Sequence, residues 1–160
     1  MIERPAAGVG QPGGTVQVDR SCSTDADCTV APGWITSMVR AFASPNVALV
    51  AGPVRMAPAA TLLDKFQAAE FAGLIALGAG AMALGAPNMC NSANLAYRKK
   101  IFEALKLVGK TERPLPLDDE LLLFRIGQHP MLEAVFCAAP EALVTTPPAP
   151  SYRAFVLQRW

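Results

Sequence analysis

The sequence has few of the residues that build zinc clusters. His129 is its single histidine, and the four cysteines, Cys22, Cys28, Cys90 and Cys137, form no C-x-x-C pair. Structural zinc sites take their ligands from closely spaced cysteine and histidine pairs. The composition therefore argues against a structural zinc site and favours reduced thiols in a cytosolic setting.

The chain also lacks an excess of charge of either sign. It has 14 basic and 13 acidic residues, a formal net charge of +1 and 17% charged residues. Nucleic-acid and anionic-membrane binding normally require clustered basic residues, so neither is expected from this balance. With 52% hydrophobic residues in 160, the chain is instead typical of one folded domain.

Charge is missing altogether from residues 71–87. This length is at the lower limit for a membrane span, and a buried core helix that runs into a glycine-rich loop has the same composition. Between these alternatives we expect the core helix. We also expect Phe71, Leu74 and Ile75 to contact a strand at residues 47–54.

Hydrophobic periodicity predicts helices that alternate with short apolar strands. The helices are expected at about 34–42, 60–77, 99–107 and 119–126, and the strands at about 47–54, 132–136 and 142–145. Residues 1–20, rich in Gly and Pro, are interpreted as a flexible segment, and residues 21–160 as the domain. The pattern predicts an α/β fold with a mostly parallel sheet flanked by helices and a small β element near residues 132–146.

Two acidic motifs are candidates for chemistry. Asp25 and Asp27 form D-x-D, in which two carboxylates can approach one divalent cation, although most such turns are simply solvated. Asp118, Asp119 and Glu120 open a helix, where a carboxylate can accept a proton from an attacking hydroxyl. Helix capping and the helix dipole would favour the same acids there.

Polar residues with hydrogen-bonding capacity mark two further segments. Asn91 and Asn94, with Arg98, follow the apolar run in a predicted loop and suit the hydroxyls of a carbohydrate, although Asn is ordinary in turns. The chain ends in Gln158-Arg159-Trp160.

Taken in order, these motifs resemble the processive branch of the family 2 glycosyltransferases, which includes cellulose, hyaluronan and chitin synthases. The matching segments are TDADC with PGW, NSANLAYRK, LDDELLLFRI and the terminal QRW, at residues 24–34, 91–99, 117–126 and 158–160. The ordered set is more specific than any one motif, and the resemblance covers about residues 20–160.

The resemblance implies a GT-A fold and an inverting transfer from a nucleotide-sugar donor to a carbohydrate or lipid-linked acceptor. Asp25 and Asp27 would hold Mg²⁺ or Mn²⁺ and the donor diphosphate, with Asp27 the direct metal ligand, and Asp119 would be the catalytic base. The residues expected near the acceptor are Asn91, Asn94, Asp118, Gln158, Arg159 and Trp160. For the parent protein, the resemblance also implies a place at the cytoplasmic face of the cell inner membrane, with membrane association through segments outside this chain. This chain alone is expected to be soluble in the cytoplasm or to aggregate.

Two departures from the family pattern qualify this interpretation. The family motif Q-x-x-R-W is represented only by Gln158-Arg159-Trp160, and 24 residues precede Asp25, too few for the strands that bind the nucleotide base. We therefore expect a partial fold without these N-terminal strands, and weak donor binding. The alternative function is a non-catalytic, truncated remnant or scaffold domain that binds no donor.

Overall fold

Two β-sheets and five α-helices form the part of the chain that the computed structural model describes, residues 19–58, 60–105 and 118–158. The strands are β1 Arg20–Ser23, β2 Thr29–Val30, β3 Val47–Ala51, β4 Val54–Met56, β5 Leu95–Arg98, β6 Glu133–Phe136 and β7 Val144–Thr146. The helices are α1 Trp34–Arg40, α2 Leu62–Ala83, α3 Lys99–Ala104, α4 Asp118–Gly127 and α5 Tyr152–Gln158. The segment 1–20 that was interpreted as flexible lies outside these residues, apart from its last two positions.

The main sheet has the strand order β1-β5-β3-β6. β5 is antiparallel to both β1 and β3, whereas β3 and β6 are parallel. The α/β class is therefore confirmed, but the prediction of a mostly parallel sheet is wrong, because the sheet is mixed. Strand direction is not encoded in a short apolar run, and Leu95–Arg98 had been interpreted as part of a loop.

Three strands of the mixed sheet nevertheless end on the same side of it. β1, β3 and β6 run in the same direction, and the pairs Ser23↔Leu95, Ala51↔Leu95 and Ala51↔Phe136 align their carboxyl ends. β5 begins at this same end. The turn after β1 and the loop before β5 are therefore neighbours.

The second sheet has the order β2-β7-β4. The strand expected at residues 47–54 is divided at Gly52-Pro53, and its two parts enter different sheets. Proline has no backbone N–H, so it does not continue a ladder in the interior of a sheet. The small β element expected near residues 132–146 is divided in the same way, with β6 in the main sheet and β7 in the second.

Apolar clusters cover both faces of the main sheet. On one face, Trp34 and Met38 of α1 pack with Val47 and Val50. On the other face, the buried side chains of α4 pack with β3 and β5, including Leu49, Leu95, Leu122, Leu123 and Ile126. Full burial of each of these large side chains is worth about 1.5–3 kcal/mol.

α2 is the longest helix, and local interactions fix both of its ends. Thr61 and Asp64 form a capping box: the Asp64 amide donates to Thr61 Oγ1 (3.1 Å), and the Thr61 amide donates to Asp64 Oδ2 (2.8 Å). The backbone hydrogen bond from Thr61 is the main reason why the pKa of Asp64 lies below its ordinary value. Gly85 follows the helix with φ of 70°, a conformation that glycine adopts at no steric cost.

The position of α2 confirms one expectation and corrects another. Phe71 and Ile75 pack against the cluster that contains Val47 and Val54, as expected, and Leu74 lines a pocket together with Ala51. A direct contact of Leu74 with residues 47–54 stays a prediction. The helix is not buried, however, because only 17% of its most apolar window is covered. Within the described residues it is also the one helix whose length and composition would allow it to cross a membrane.

Candidate active site

The D-x-D segment forms a tight turn between the two sheets. β1 of the main sheet precedes it and β2 of the second sheet follows it, and the Cys28 amide donates to the Asp25 carbonyl (3.1 Å). Asp25 and Asp27 are exposed and Cys28 is half-buried, and ligand atoms of all three lie within 4.8 Å of one another. Carboxylate oxygens are the preferred ligands of Mg²⁺ and suit Mn²⁺, so this donor set fits the expected divalent cation.

Cys28 is a member of this cluster that the sequence interpretation missed. Burial raises the pKa of its thiol, the Thr146 side chain lowers it, and the charges of Asp27 and Asp25 raise it further. The signal for this residue was present in the sequence, because Cys28 directly follows Asp27.

The asparagine loop, residues 91–94, lies at the same end of the main sheet as the D-x-D turn. Asn91 caps the short 3-10 turn Ser92–Asn94, and its side-chain oxygen accepts a hydrogen bond from the Ala93 amide (2.9 Å). The Asn91 side chain is half-buried. The local cap explains the residue structurally, and its predicted contact with the acceptor stays a prediction.

Asn94 has a different environment, because it is fully buried. Its Oδ1 accepts from Trp34 Nε1 (2.9 Å), and its Nδ2 donates to the carbonyls of Pro53 (2.8 Å) and Ala142 (2.7 Å). The side chain thus uses its hydrogen-bonding groups inside the fold. Its predicted role as an acceptor contact stays a prediction, and the geometry shows an internal use for it.

Asp119 lies half-buried in the first turn of α4. Cys90 Sγ donates to the Asp119 backbone carbonyl at 3.7 Å, which places the start of α4 against the asparagine loop. Burial raises the pKa of the Cys90 thiol to about 12, and the charges of Asp119 and Glu120 add to this effect. The structure therefore brings the predicted base next to the loop that begins at Asn91.

An apolar pocket opens beside this contact, between α2 and the main sheet. It is lined by Cys90 and Asn91 on one side and by apolar residues on the other, among them Leu74, Ile75, Met82, Met89 and Phe136. The asparagine loop and the start of α4 therefore border an apolar surface.

The remaining predicted acceptor residues are less fully described. Asp118 begins α4 and Gln158 ends α5, whereas Arg159 and Trp160 lie outside the described residues. The acceptor roles of these four residues stay predictions.

The D-x-D turn and the asparagine loop lie at the carboxyl ends of strands of an α/β sheet, the end at which sheets of this class commonly bind their ligands. The family model for glycosyl transferase family 21 matches residues 18–107 of this 160-residue chain. The match covers more than half of the chain, and the chain belongs to that family. A comparison with curated proteins found no match.

The family match extends from the D-x-D turn through the asparagine loop and ends before Asp119. It confirms that the chain carries a glycosyltransferase domain, which implies a sugar donor and an acceptor. The resemblance to the cellulose, hyaluronan and chitin synthase branch of family 2 stays a prediction, and so does the truncation.

Proposed function

We propose that the chain catalyses an inverting, metal-dependent transfer of a sugar from a nucleotide-sugar donor. The observation that supports this most directly is the arrangement at one end of the main sheet. There the D-x-D turn leaves β1, the asparagine loop enters β5, and Cys90 contacts Asp119. Metal ligands, hydroxyl-binding amides and a base are the groups that this reaction needs.

Asp25 and Asp27 are proposed to hold the divalent cation, with Asp27 as the direct ligand, and Cys28 is available as a softer ligand beside them. When bound, the cation would offset the negative charge of the departing diphosphate. Both carboxylates are exposed at the tip of the turn, where a diphosphate can approach them from solvent.

Asp119 is proposed as the general base. The acceptor hydroxyl oxygen attacks the anomeric carbon and forms the new glycosidic bond, while the bond from that carbon to the diphosphate oxygen breaks and its electron pair leaves with the diphosphate. The hydroxyl proton is transferred to the Asp119 carboxylate. Attack from the side opposite the leaving group inverts the anomeric configuration.

The apolar surroundings favour a lipid-linked acceptor over a free carbohydrate. Asn91 is among the residues that line the pocket, and the other lining residues are almost all apolar. On its outer side α2 exposes Leu62, Phe66 and Leu77. We propose on this basis that the domain works at the cytoplasmic face of the inner membrane, where this face of α2 adds to anchoring by segments outside this chain.

The second candidate is a scaffold domain that binds no donor, and the edge of the main sheet favours it. β1 is an edge strand of that sheet in the described part of the chain. Beside it, Arg20 Nε and Thr24 Oγ1 are buried and have no hydrogen-bond partner there. Buried polar groups are normally hydrogen-bonded, so the unpaired atoms mark this edge as incompletely covered. At such an edge, the contacts that hold the nucleotide-sugar donor would be incomplete. We accordingly expect weak donor binding, with a dissociation constant above the micromolar range.

Calorimetric titration of the chain with Mn²⁺ and UDP-glucose, combined with a transfer assay on a lipid acceptor, tests the proposal. Asp27→Ala should weaken Mn²⁺ and donor binding together. Asp119→Asn should leave binding intact and reduce transfer by about 10²–10⁴-fold, the usual contribution of a general base. The neighbouring exposed acid gives the control, because Glu120→Gln should change neither quantity.

Two results would contradict the proposal. Transfer by Asp119→Asn within a few-fold of the unmodified chain would show that the base is another group. Absence of Mn²⁺-dependent nucleotide binding at millimolar concentrations would favour the scaffold.

A further inference from the structure

The two sheets meet at Asn94. Its backbone lies directly before β5 of the main sheet, and the Gly52 amide, directly after β3, donates to its carbonyl (2.9 Å). Its side chain bonds to Pro53, directly before β4, and to Ala142, in the turn before β7. β4 and β7 belong to the second sheet, so one buried amide joins the ends of strands from both sheets.

The same two sheets hold the D-x-D turn. Its amino-terminal side continues from β1, which pairs with β5, and its carboxyl-terminal side continues into β2, which pairs with β7. After β2, the chain reaches Trp34, whose indole N–H donates to Asn94 Oδ1 at 2.9 Å. The separation of the two sheets therefore determines how far the turn is stretched, and Asn94 fixes that separation.

The close approach at this junction requires glycine at position 52. A Cβ there would lie 2.6 Å from Asn94 Cγ, a separation that real Cβ atoms do not tolerate. Asn94 is completely buried, and its amide hydrogens and oxygen are all bonded, so the junction has little freedom to adapt. A buried amide with satisfied partners is costly to disrupt, because loss of one partner leaves the others unpaired.

We infer that Asn94 is a positioning residue that sets the conformation of the D-x-D turn by fixing the second sheet to the main sheet. The inference deepens the proposed function, since the turn is the proposed metal site. The contacts of Asn94 lie within the fold, and through them it places Asp25 and Asp27.

Hydrogen exchange of the backbone amides measures this coupling without any ligand. Asn94→Leu keeps the side-chain volume and removes the hydrogen bonds, and it should accelerate exchange of the amides of Cys28, Val30 and Trp34 by at least about tenfold relative to those of α4. Trp34→Phe removes one of the three hydrogen bonds of the Asn94 side chain, together with part of the buried indole ring, and should give a smaller acceleration at the same amides. Gly52→Ala, which removes no hydrogen-bonding group, should accelerate them by displacing the Asn94 side chain.

The chain offers a matched control in Gln67, another fully buried amide. Its side chain makes two hydrogen bonds to the backbone of Ala149, with Nε2 donating to the carbonyl (3.2 Å) and Oε1 accepting from the amide (3.0 Å). Gln67→Met should destabilise the packing of α2 and leave exchange in the D-x-D turn within about twofold, because only coupled sites share an opening reaction.

A Mn²⁺ titration of the same variants separates this inference from the proposed function. If the unmodified chain binds Mn²⁺, Asn94→Leu should lower the affinity by about tenfold or more, and Gln67→Met should not. Failure of the unmodified chain to bind Mn²⁺ would refute the proposed metal site, and the exchange data would still decide the coupling. The inference is overturned if Asn94→Leu and Trp34→Phe leave exchange in the turn unchanged, or if Gln67→Met accelerates it equally.

Discussion

Arg98 tests whether the polar residues of segment 91–98 serve the candidate site or the fold. In sequence it is the base that follows the two asparagines, and it could be assigned to carbohydrate hydroxyls. In the structure its Nε donates to the Val47 carbonyl (2.8 Å) and its Nη2 donates to the Ser44 carbonyl (3.2 Å). The guanidinium also lies over the Phe42 ring, 5.3 Å from the centroid. Replacement by methionine keeps the apolar stem and removes all of these interactions.

The expected loss can be added from the contacts. Hydrogen bonds to a charged group contribute about 1.5–3 kcal/mol each, and a partly desolvated cation–π contact contributes about 0.5–1 kcal/mol. Val47 is buried, so its carbonyl would lose its partner away from water. The ion pair to Asp19 at 3.4 Å adds little, because the Asp19 side chain is 47% exposed and surface pairs are worth about 0–1 kcal/mol. The low ends of these contributions add to about 3.5 kcal/mol, and we expect Arg98→Met to lower the free energy of unfolding by at least this amount.

Urea denaturation followed by circular dichroism measures this loss. Asp19→Ala is the matched control and should cost less than about 1 kcal/mol, because it removes the exposed ion pair alone. The loss of stability for Arg98→Lys should lie between these two values, because one ammonium group does not reproduce the two hydrogen bonds that the planar guanidinium donates to separate carbonyls. A loss below about 1 kcal/mol for Arg98→Met would refute the reasoning and return Arg98 to the list of candidate site residues.

Two further predictions concern pH and lipid. Burial raises the pKa of Cys90 to about 12. The protonated thiol therefore contributes stability that is fully present below the unfolded pKa of about 8.5 and falls as the pH rises, by at most about 1.4 kcal/mol per pH unit. In urea denaturation from about pH 8 to 11, the free energy of unfolding should depend less on pH for Cys90→Ala than for the unmodified chain. The outer face of α2 should bind phospholipid vesicles in a sedimentation assay through its exposed apolar side chains. In this assay Phe66→Glu should reduce vesicle binding several-fold. The control is Phe124→Glu, which replaces an equally exposed aromatic residue on α4 (59% exposed for both) and should not reduce binding. Equal effects of the two substitutions would exclude a specific role for α2.

Local signals in the sequence were sufficient for α1 and for the start of α4. The spacing of Trp34 and Met38 predicted α1, and both residues are buried in the core. The acids after residue 117 predicted the start of α4, and helix formation begins at Asp118. Each of these features depends on residues within one or two helical turns, and short-range chemistry is what a single sequence reports most directly.

The sheet could not be predicted to the same extent, because pairing depends on residues far apart in the chain. β5 has four residues and ends in Arg98, a composition that equally suits a loop. What makes it a strand is its pairing with β1 and β3, together with the bonds from Arg98 to the carbonyls of Val47 and Ser44. Val47 and Ser44 lie 51 and 54 positions from Arg98, and the paired residues of β1 lie farther still, so no local pattern encodes these partners.

The two asparagines show most clearly where local reasoning ends. Asn91 and Asn94 are three positions apart in the same turn and have the same turn-forming chemistry, so the sequence gives them equal standing as acceptor contacts. The fold separates them, because Asn94 is fully buried and hydrogen-bonded to Trp34, Pro53 and Ala142, whereas Asn91 is half-buried and lines the pocket. The partner of the Asn94 oxygen is 60 positions away, on a helix that exists for independent reasons. An amide suited to a ligand in sequence thus serves the fold, and its effect on catalysis is expected to pass through the D-x-D turn that it positions.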